Sequence, residues 1–189
     1  LKCADIIVIN KSNMVKKEKI REIIRKIREK NKKAKIIRTN SVLNYEVEKI
    51  KLVKESNGKV IVIEDGPTTT HGGMKFGPGL IIARKHKLKV INAEKYAVGV
   101  FKDIYKNYRL KKIIPAIGYN KQQLKDLEKM INKIIKNEKP SLIVCSSQAS
   151  LDKIMKIKIP FLKISYKVEE VNGSLEKEVL KRLKVGRIL

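Results

Sequence analysis

Short apolar runs alternate along the chain with stretches in which isoleucine and leucine return every three or four positions. The runs ADIIVIN (residues 4 to 10), AKIIRT (34 to 39), KVIVIE (59 to 64) and LKVIN (88 to 92) predict strands. So do KKIIPA (111 to 116), SLIVCSS (141 to 147) and FLKISYKVEEV (161 to 171), with Pro115 marking the end of its strand. The first run is apolar almost throughout, which predicts burial on both faces. Ile20, Ile23, Ile24 and Ile27 fall at i, i+3, i+4, i+7 and predict a helix over about residues 16 to 31. The longest helix carries Leu124, Leu127, Ile131, Ile134 and Ile135 on one face, with Asn120 as N-cap and Gln123 completing a capping box. Shorter helices are expected over GLIIARKHK and residues 99 to 108 and 150 to 157, and Ser174 caps a terminal helix carrying Leu175, Val179 and Leu183. Residues 41 to 58 are the least legible, with a helical turn around 47 to 53 and a turn at Asn57-Gly58.

Strands that alternate with helices predict a layered α/β fold with a mostly parallel sheet and helices on both faces. A length of 189 residues is most simply one domain. In such sheets a ligand sits outside the C-terminal edge of the strands, so the loops leaving those ends are where chemistry is expected.

Composition narrows the picture. No apolar run approaches the roughly 18 residues of a membrane span, and no signal peptide is visible, so the expected location is cytoplasmic. Cys3 and Cys145 lie in or beside predicted buried strands and are expected as reduced core thiols. Lys plus Arg number 45 against 19 acids, a net +26 that calls for an anionic partner or milieu. The surplus is dispersed lysine with few aromatic residues, which weighs against a nucleic-acid binder. It fits a lysine-rich, thermophile-like surface or a multiply phosphorylated small molecule.

Three strand ends could carry chemistry. At the first, Asn10 and Lys11 could read and cover a purine base; Asn13 stands where GTP-binding proteins add an acceptor Asp, and Ser12 or Asn13 could instead cap the next helix. At the second, IVIEDGPTTTHGGMKFGPG, Glu64 and Asp65 could hold Mg²⁺ through oxygen and water. Thr68, Thr69 and Thr70 supply hydroxyls, while Gly72, Gly73, Gly77 and Gly79 let amides approach phosphate. A helix starting near Gly79 aims its N-terminus at an anion, Lys75 and Arg84 neutralise phosphates, and His71 can exchange a proton with one. At the third, IPAIGYN, Gly118 permits a tight turn and Tyr119 covers either a ligand or the core. CSSQAS, residues 145 to 150, reads as strand-exit and helix-cap chemistry. The CxxC and HExxH metal spacings and the GxxxxGK[ST] phosphate loop do not occur.

The stretch EDGPTTTHGGMKFGPG, with EKYAVGVF (94 to 101), IIPAIGY (113 to 119) and KISYKVEEV, resembles the archaeal cyclic 2,3-diphosphoglycerate synthetase family and its GTPase-like relatives. The resemblance runs through essentially the whole chain. It implies an ATP-dependent closure of 2,3-bisphosphoglycerate to an intramolecular phosphoanhydride, with ATP (or GTP) and Mg²⁺ as cofactors, and a reaction that needs mainly positioning and charge neutralisation. By the same resemblance Asn10 and Lys11 match the base-reading pair, and Glu64 to Thr68 with Thr70 to Lys75 match the signature loop, in which His71 and Lys75 are the expected catalytic residues. CSSQAS stands where the family shows a Gly-Thr-Pro turn, and Pro78 where it has a small residue. Family members carry a P-loop segment upstream, so the chain is expected to be the C-terminal part of a longer enzyme, inactive on its own and partnered by that nucleotide-binding region. Competing readings are a GTPase-type metallochaperone or switch, which would show nucleotide-dependent partner binding, and a basic nucleic-acid-binding domain, which would shift DNA or RNA at low salt. Sheet edges of this class often pair across subunits, which leaves a homodimer open.

Overall fold

The computed structural model describes residues 1 to 66, 69, 76 to 117 and 120 to 185, and the chain falls into two compact units. In chain order the elements begin with β1 (Ile6–Ile9), α1 (Lys17–Lys30), β2 (Lys35–Asn44), α2 (Val47–Glu55) and β3 (Lys59–Asp65). There follow α3 (Pro78–Lys85), β4 (Lys89–Val90), α4 (Val100–Tyr108), β5 (Ile114–Ala116) and α5 (Lys121–Glu138). The remainder is β6 (Leu142–Cys145), the short α6 (Leu151–Ile154), β7 (Phe161–Lys163), β8 (Ser165–Glu170) and α7 (Leu175–Val185). Strand and helix alternate as expected, and the fold is a layered α/β arrangement with a mostly parallel sheet.

The first unit, Leu1–Leu43 with Tyr166–Leu189, carries a three-stranded sheet in the order β1-β2-β8. β1 and β2 run parallel, with Ile6 opposite Lys35 and Ile9 opposite Arg38. The isoleucine stripe of α1 closes on this pair: Ile20 and Ile27 join Ile9 and Ile36 in a small core, with Ile7, Ile23 and Ile24 packed against it. The expectation that β1 is buried on both faces fails, because Val8 is 41% exposed. β1 is an end strand, and an apolar run cannot reveal how many neighbours it has. Every residue of β8 is exposed.

The second unit, Asn44–Ser165, holds the five-stranded parallel sheet in the order β4-β3-β6-β7. β3 is its centre: Val60 pairs with Val90 of β4 and Leu142 of β6, and farther along Ile63 pairs with Ile114 of β5 and Cys145 of β6. β4 and β5 thus share one side of β3 in succession. KVIVIE and LIVC are buried throughout their central residues, as continuous apolar runs in a covered parallel sheet should be. Leu127, Met130, Ile131 and Ile134 of α5 are wholly buried, and the Asn120 side chain accepts from the Gln123 amide at 2.8 Å, as the capping signal predicts.

Two further expectations are corrected. FLKISYKVEEV is not one strand: β7 pairs with β6 in the second unit and β8 belongs to the sheet of the first, with the break at buried Ile164. The Ile164 amide still bonds Cys145 O at 2.8 Å, so the first pairing ends only there. Of the two thiols, Cys145 is buried but Cys3 is exposed, because β1 starts at Ile6 and leaves Cys3 outside the sheet. No helix among the described residues is long and apolar enough to cross a membrane.

Candidate functional site

Adjacent acids close β3, and strand geometry sends them opposite ways. Val62 and Glu64 face the start of α3: a Cβ added to Gly79 would meet Val62 Cγ1 at 3.0 Å and Glu64 Oε1 at 3.1 Å. Glu64 is fully buried, and its Oε1 accepts from the Leu80 amide at 2.7 Å. The Ser146 hydroxyl donates to Oε2, and the Gly77 and Gly79 amides also bond this carboxylate. Burial pushes the Glu64 carboxyl above the usual range, against the pull of the Ser146 hydroxyl and the three amides. The helix N-terminus that the sequence aims at a ligand anion is therefore met by the protein's own Glu64. Gly77 has the same explanation, since its Cβ would lie 2.6 Å from the Glu64 carboxyl carbon.

Asp65 takes the other face. It lines a cleft of about 310 Å³ at the C-terminal edge of the sheet, with Ala116 and Ile117 from the end of β5 and Ser147, Gln148 and Ile154 beyond β6. Gly66 keeps the wall close, because a Cβ there would stand 2.6 Å from Ala116 O. Thr69 is buried in the same turn, its hydroxyl donating to Gly66 O at 3.0 Å. Ser147 and Gln148 belong to CSSQAS, which sequence reasoning read as strand-exit chemistry. The signal that could have found them was positional, since CSSQAS leaves the C-terminal end of a strand neighbouring β3.

For a divalent cation the two acids differ. Mg²⁺ wants hard oxygens and keeps several of its waters. Asp65, which lines the cleft together with Ser147 and Gln148, is the acid placed for an ion held in that way, whereas Glu64 is fully buried against α3. Among the described residues there is no cluster of three or more His, Cys, Asp or Glu that could hold a metal on its own.

The other predicted residues separate into three groups. Thr68, Thr70, His71, Gly72, Gly73 and Lys75, with Gly118 and Tyr119, lie outside the described residues. Arg84 stands exposed in the last turn of α3, the end away from Glu64, and does not line the cleft. Asn10 and Lys11 belong to the first unit. There Asn10 Oδ1 accepts from the Lys11 amide at 2.7 Å and the Thr39 hydroxyl at 3.0 Å, and Lys11, in the left-handed region, extends its Nζ over the Tyr166 ring at 5.9 Å. Asn13 is bonded on both sides to the Ser41 backbone, at 2.9 and 3.1 Å, and Ser12 Oγ donates to Thr39 O and Asn40 Oδ1. Neither caps α1, which has no side-chain cap bond. EKYAVGVF is structural where it is described: Phe101 is in the core, Tyr96 bonds Glu138 at 2.8 Å, and Gly99 makes room for the buried Asp126, which accepts from the Val100 amide at 3.2 Å.

Fold and cleft together define an α/β protein with a cleft at the C-terminal edge of a parallel sheet, the place where such sheets bind ligands. Among known proteins the chain is similar to arginine synthetase ArcE of Thermococcus kodakarensis, 35% identical over 181 residues. That match takes in 95% of this chain but 39% of the relative, so the chain spans well under half of that protein. No family model matches the chain, and no solved structure matches it. The resemblance to the cyclic 2,3-diphosphoglycerate synthetases is thus supported only in its coarser part, likeness to an archaeal synthetase.

Proposed function

We propose that this chain is part of an ATP-dependent ligase in which the Asp65 cleft receives the substrate that ATP activates. The observation that carries the reading is the similarity to a synthetase along 95% of the chain. The cleft adds support: Asp65, Ser147 and Gln148 line it, and Asp65 directly precedes in sequence the glycine-rich loop whose Thr68, Thr70, His71, Gly72, Gly73 and Lys75 are assigned to phosphate on sequence grounds. In this reading Mg²⁺, held through Asp65 and water, supplies charge neutralisation for the phosphates, and this chain's residues orient and desolvate the acceptor.

Two substrates are in view. The relative's name favours arginine as product, and an acid in the cleft can pair with a guanidinium directly. The loop and the net charge of +26 favour 2,3-bisphosphoglycerate, which meets Asp65 only through a cation. Calorimetric titration of each ligand with and without Mg²⁺, into the protein and its Asp65→Asn variant, decides between them. Arginine binding that needs no Mg²⁺ and weakens about tenfold in the variant selects the first. Bisphosphoglycerate binding that needs Mg²⁺ selects the second. If neither ligand saturates a site under either condition, the ligase reading of this cleft is wrong.

A further inference from the structure

The cations of α1 are not all treated alike. On one side of the helix Glu22 pairs with Lys19 at 2.9 Å and Lys26 at 2.7 Å, and Arg25 pairs with Glu29 at 2.5 Å. Lys17 and Arg21 have no carboxylate within ion-pair distance among the described residues, although Glu18 and Glu22 are their neighbours in sequence. Both line a cavity of about 490 Å³ in the first unit, and Arg38 of β2 lines it from the facing strand. No acid among the described residues lines that cavity. Arg38 is half-buried and pre-oriented: Asn172 Oδ1 accepts from its backbone amide at 2.6 Å and lies 3.4 Å from its Nε, while Arg38 O accepts from the Val171 amide at 2.9 Å. Holding an arginine by its Nε side turns the Nη end of the fork outward. Three uncompensated cations around one concavity repel each other, an arrangement that an anion of two or more charges relieves.

The remainder of the lining defines the body of that ligand. Val15, Ile20, Ile24 and Val171 make an apolar wall, and Ser12 and Asn40 add polar groups at one end. A bare inorganic ion would leave the wall unused. We infer that the first unit binds an organic phosphate here, its phosphate held by Lys17, Arg21 and Arg38 and its apolar or ring body laid against the Val15, Ile24 and Val171 wall. Guanidinium forks match phosphate oxygens in pairs, and the volume falls within the range of small-molecule sites. This site is separate from the Asp65 cleft, and none of its cations belongs to the ligase reading above.

The test is calorimetric titration of adenosine 5′-monophosphate and, in a second arm, inorganic phosphate, at about 0.15 M salt, where the general field of a +26 protein is largely screened beyond about 8 Å. One saturable site is expected for the nucleotide, with phosphate alone at least about fivefold weaker because it forgoes the apolar wall. Arg21→Ala and Arg38→Ala should each weaken nucleotide binding about tenfold. Arg25→Ala with Lys26→Ala, which removes two cations from the paired side of the same helix, should leave it within about twofold. Circular dichroism spectra matching the parent keep the variants interpretable, and Arg38→Lys, which retains charge but loses the fork, should recover binding only in part. Equal loss in the Arg25/Lys26 control, absence of a saturable site, or equal binding of phosphate alone would each overturn the assignment.

Discussion

The two units solve the same problem with unequal means. In the second, β3 lies inside a five-stranded parallel sheet, and residues such as Ile63, Val144, Leu127 and Ile131 are fully excluded from water. In the first, three strands support a core built from Ile9, Ile20, Ile27 and Ile36, while Val8, Tyr166, Val168 and Leu183 remain exposed. Apolar content alone does not explain this, since ADIIVIN is as apolar as KVIVIE. The number of covered faces does. A central parallel strand is sealed on both sides, whereas an end strand in a small sheet is sealed on one.

The largest test of this contrast is core truncation. Leu127→Ala should cost toward the upper end of about 2–5 kcal/mol and Ile27→Ala toward the lower end, because the sparser core can relax around the gap. Urea unfolding followed by circular dichroism measures both, and equal costs would erase the distinction.

Next comes the clamp on α3. Glu64→Ala should cost about 2–4 kcal/mol, since it strands the Leu80 amide and Ser146 hydroxyl in a dry interior. Ser146→Ala should cost less, because the carboxylate keeps its amide donors. A Glu64→Ala protein as stable as its parent would show that the clamp is incidental.

Acid titration sharpens the comparison further, because one buried acid of the second unit and one exposed acid of the first should respond with opposite sign. Glu64 in the second unit has a raised folded-state pKa, so its contribution is fully present below the ordinary value of 4.5 and is lost as pH rises through the folded value. Glu22 in the first unit is held down to about 2, mainly by its bond to Lys26 and then by Lys19, so its contribution is present above 4.5 and is lost as pH falls toward 2. Glu64→Gln should therefore flatten the decline in stability above pH 4.5. Glu22→Gln should flatten the decline on acidification, by an amount that shrinks in high salt because that triad is solvent-exposed. The reverse pairing of slopes would contradict the burial assigned to each acid.

The smallest effect is chemical. Burial pushes the Cys145 thiol up to about 11, while Cys3 is exposed. Thiol titration at pH 8 should count one reactive group in the native protein and two after unfolding, and two in the native state would mean that the β6 strand opens readily.

Much of this fold is legible in the amino-acid sequence. Periodicity places α1 within a residue at each end, and the Asn120 cap signal places the start of α5, because stripes and caps are local properties of the chain. The strand-end rule leads to Asp65, because ligand sites in parallel sheets follow from topology, but CSSQAS after β6 reads in sequence as strand-exit and helix-cap chemistry and is passed over. Within that site the sequence cannot separate Glu64 from Asp65: neighbouring acids look alike until the pleat points one into the start of α3 and the other into the cleft.

The residues by themselves determined an alternating α/β order, the stripes of the main helices and the cap of α5, and a strongly cationic composition, since these depend on neighbours within a few positions or on composition alone. Only the tertiary structure decided that FLKISYKVEEV divides between two sheets, that Glu64 answers the charge at the start of α3, and that Lys17, Arg21 and Arg38 share one cavity. Each of those outcomes depends on which distant segment arrives alongside, and that is settled by packing of the whole chain rather than by any local pattern.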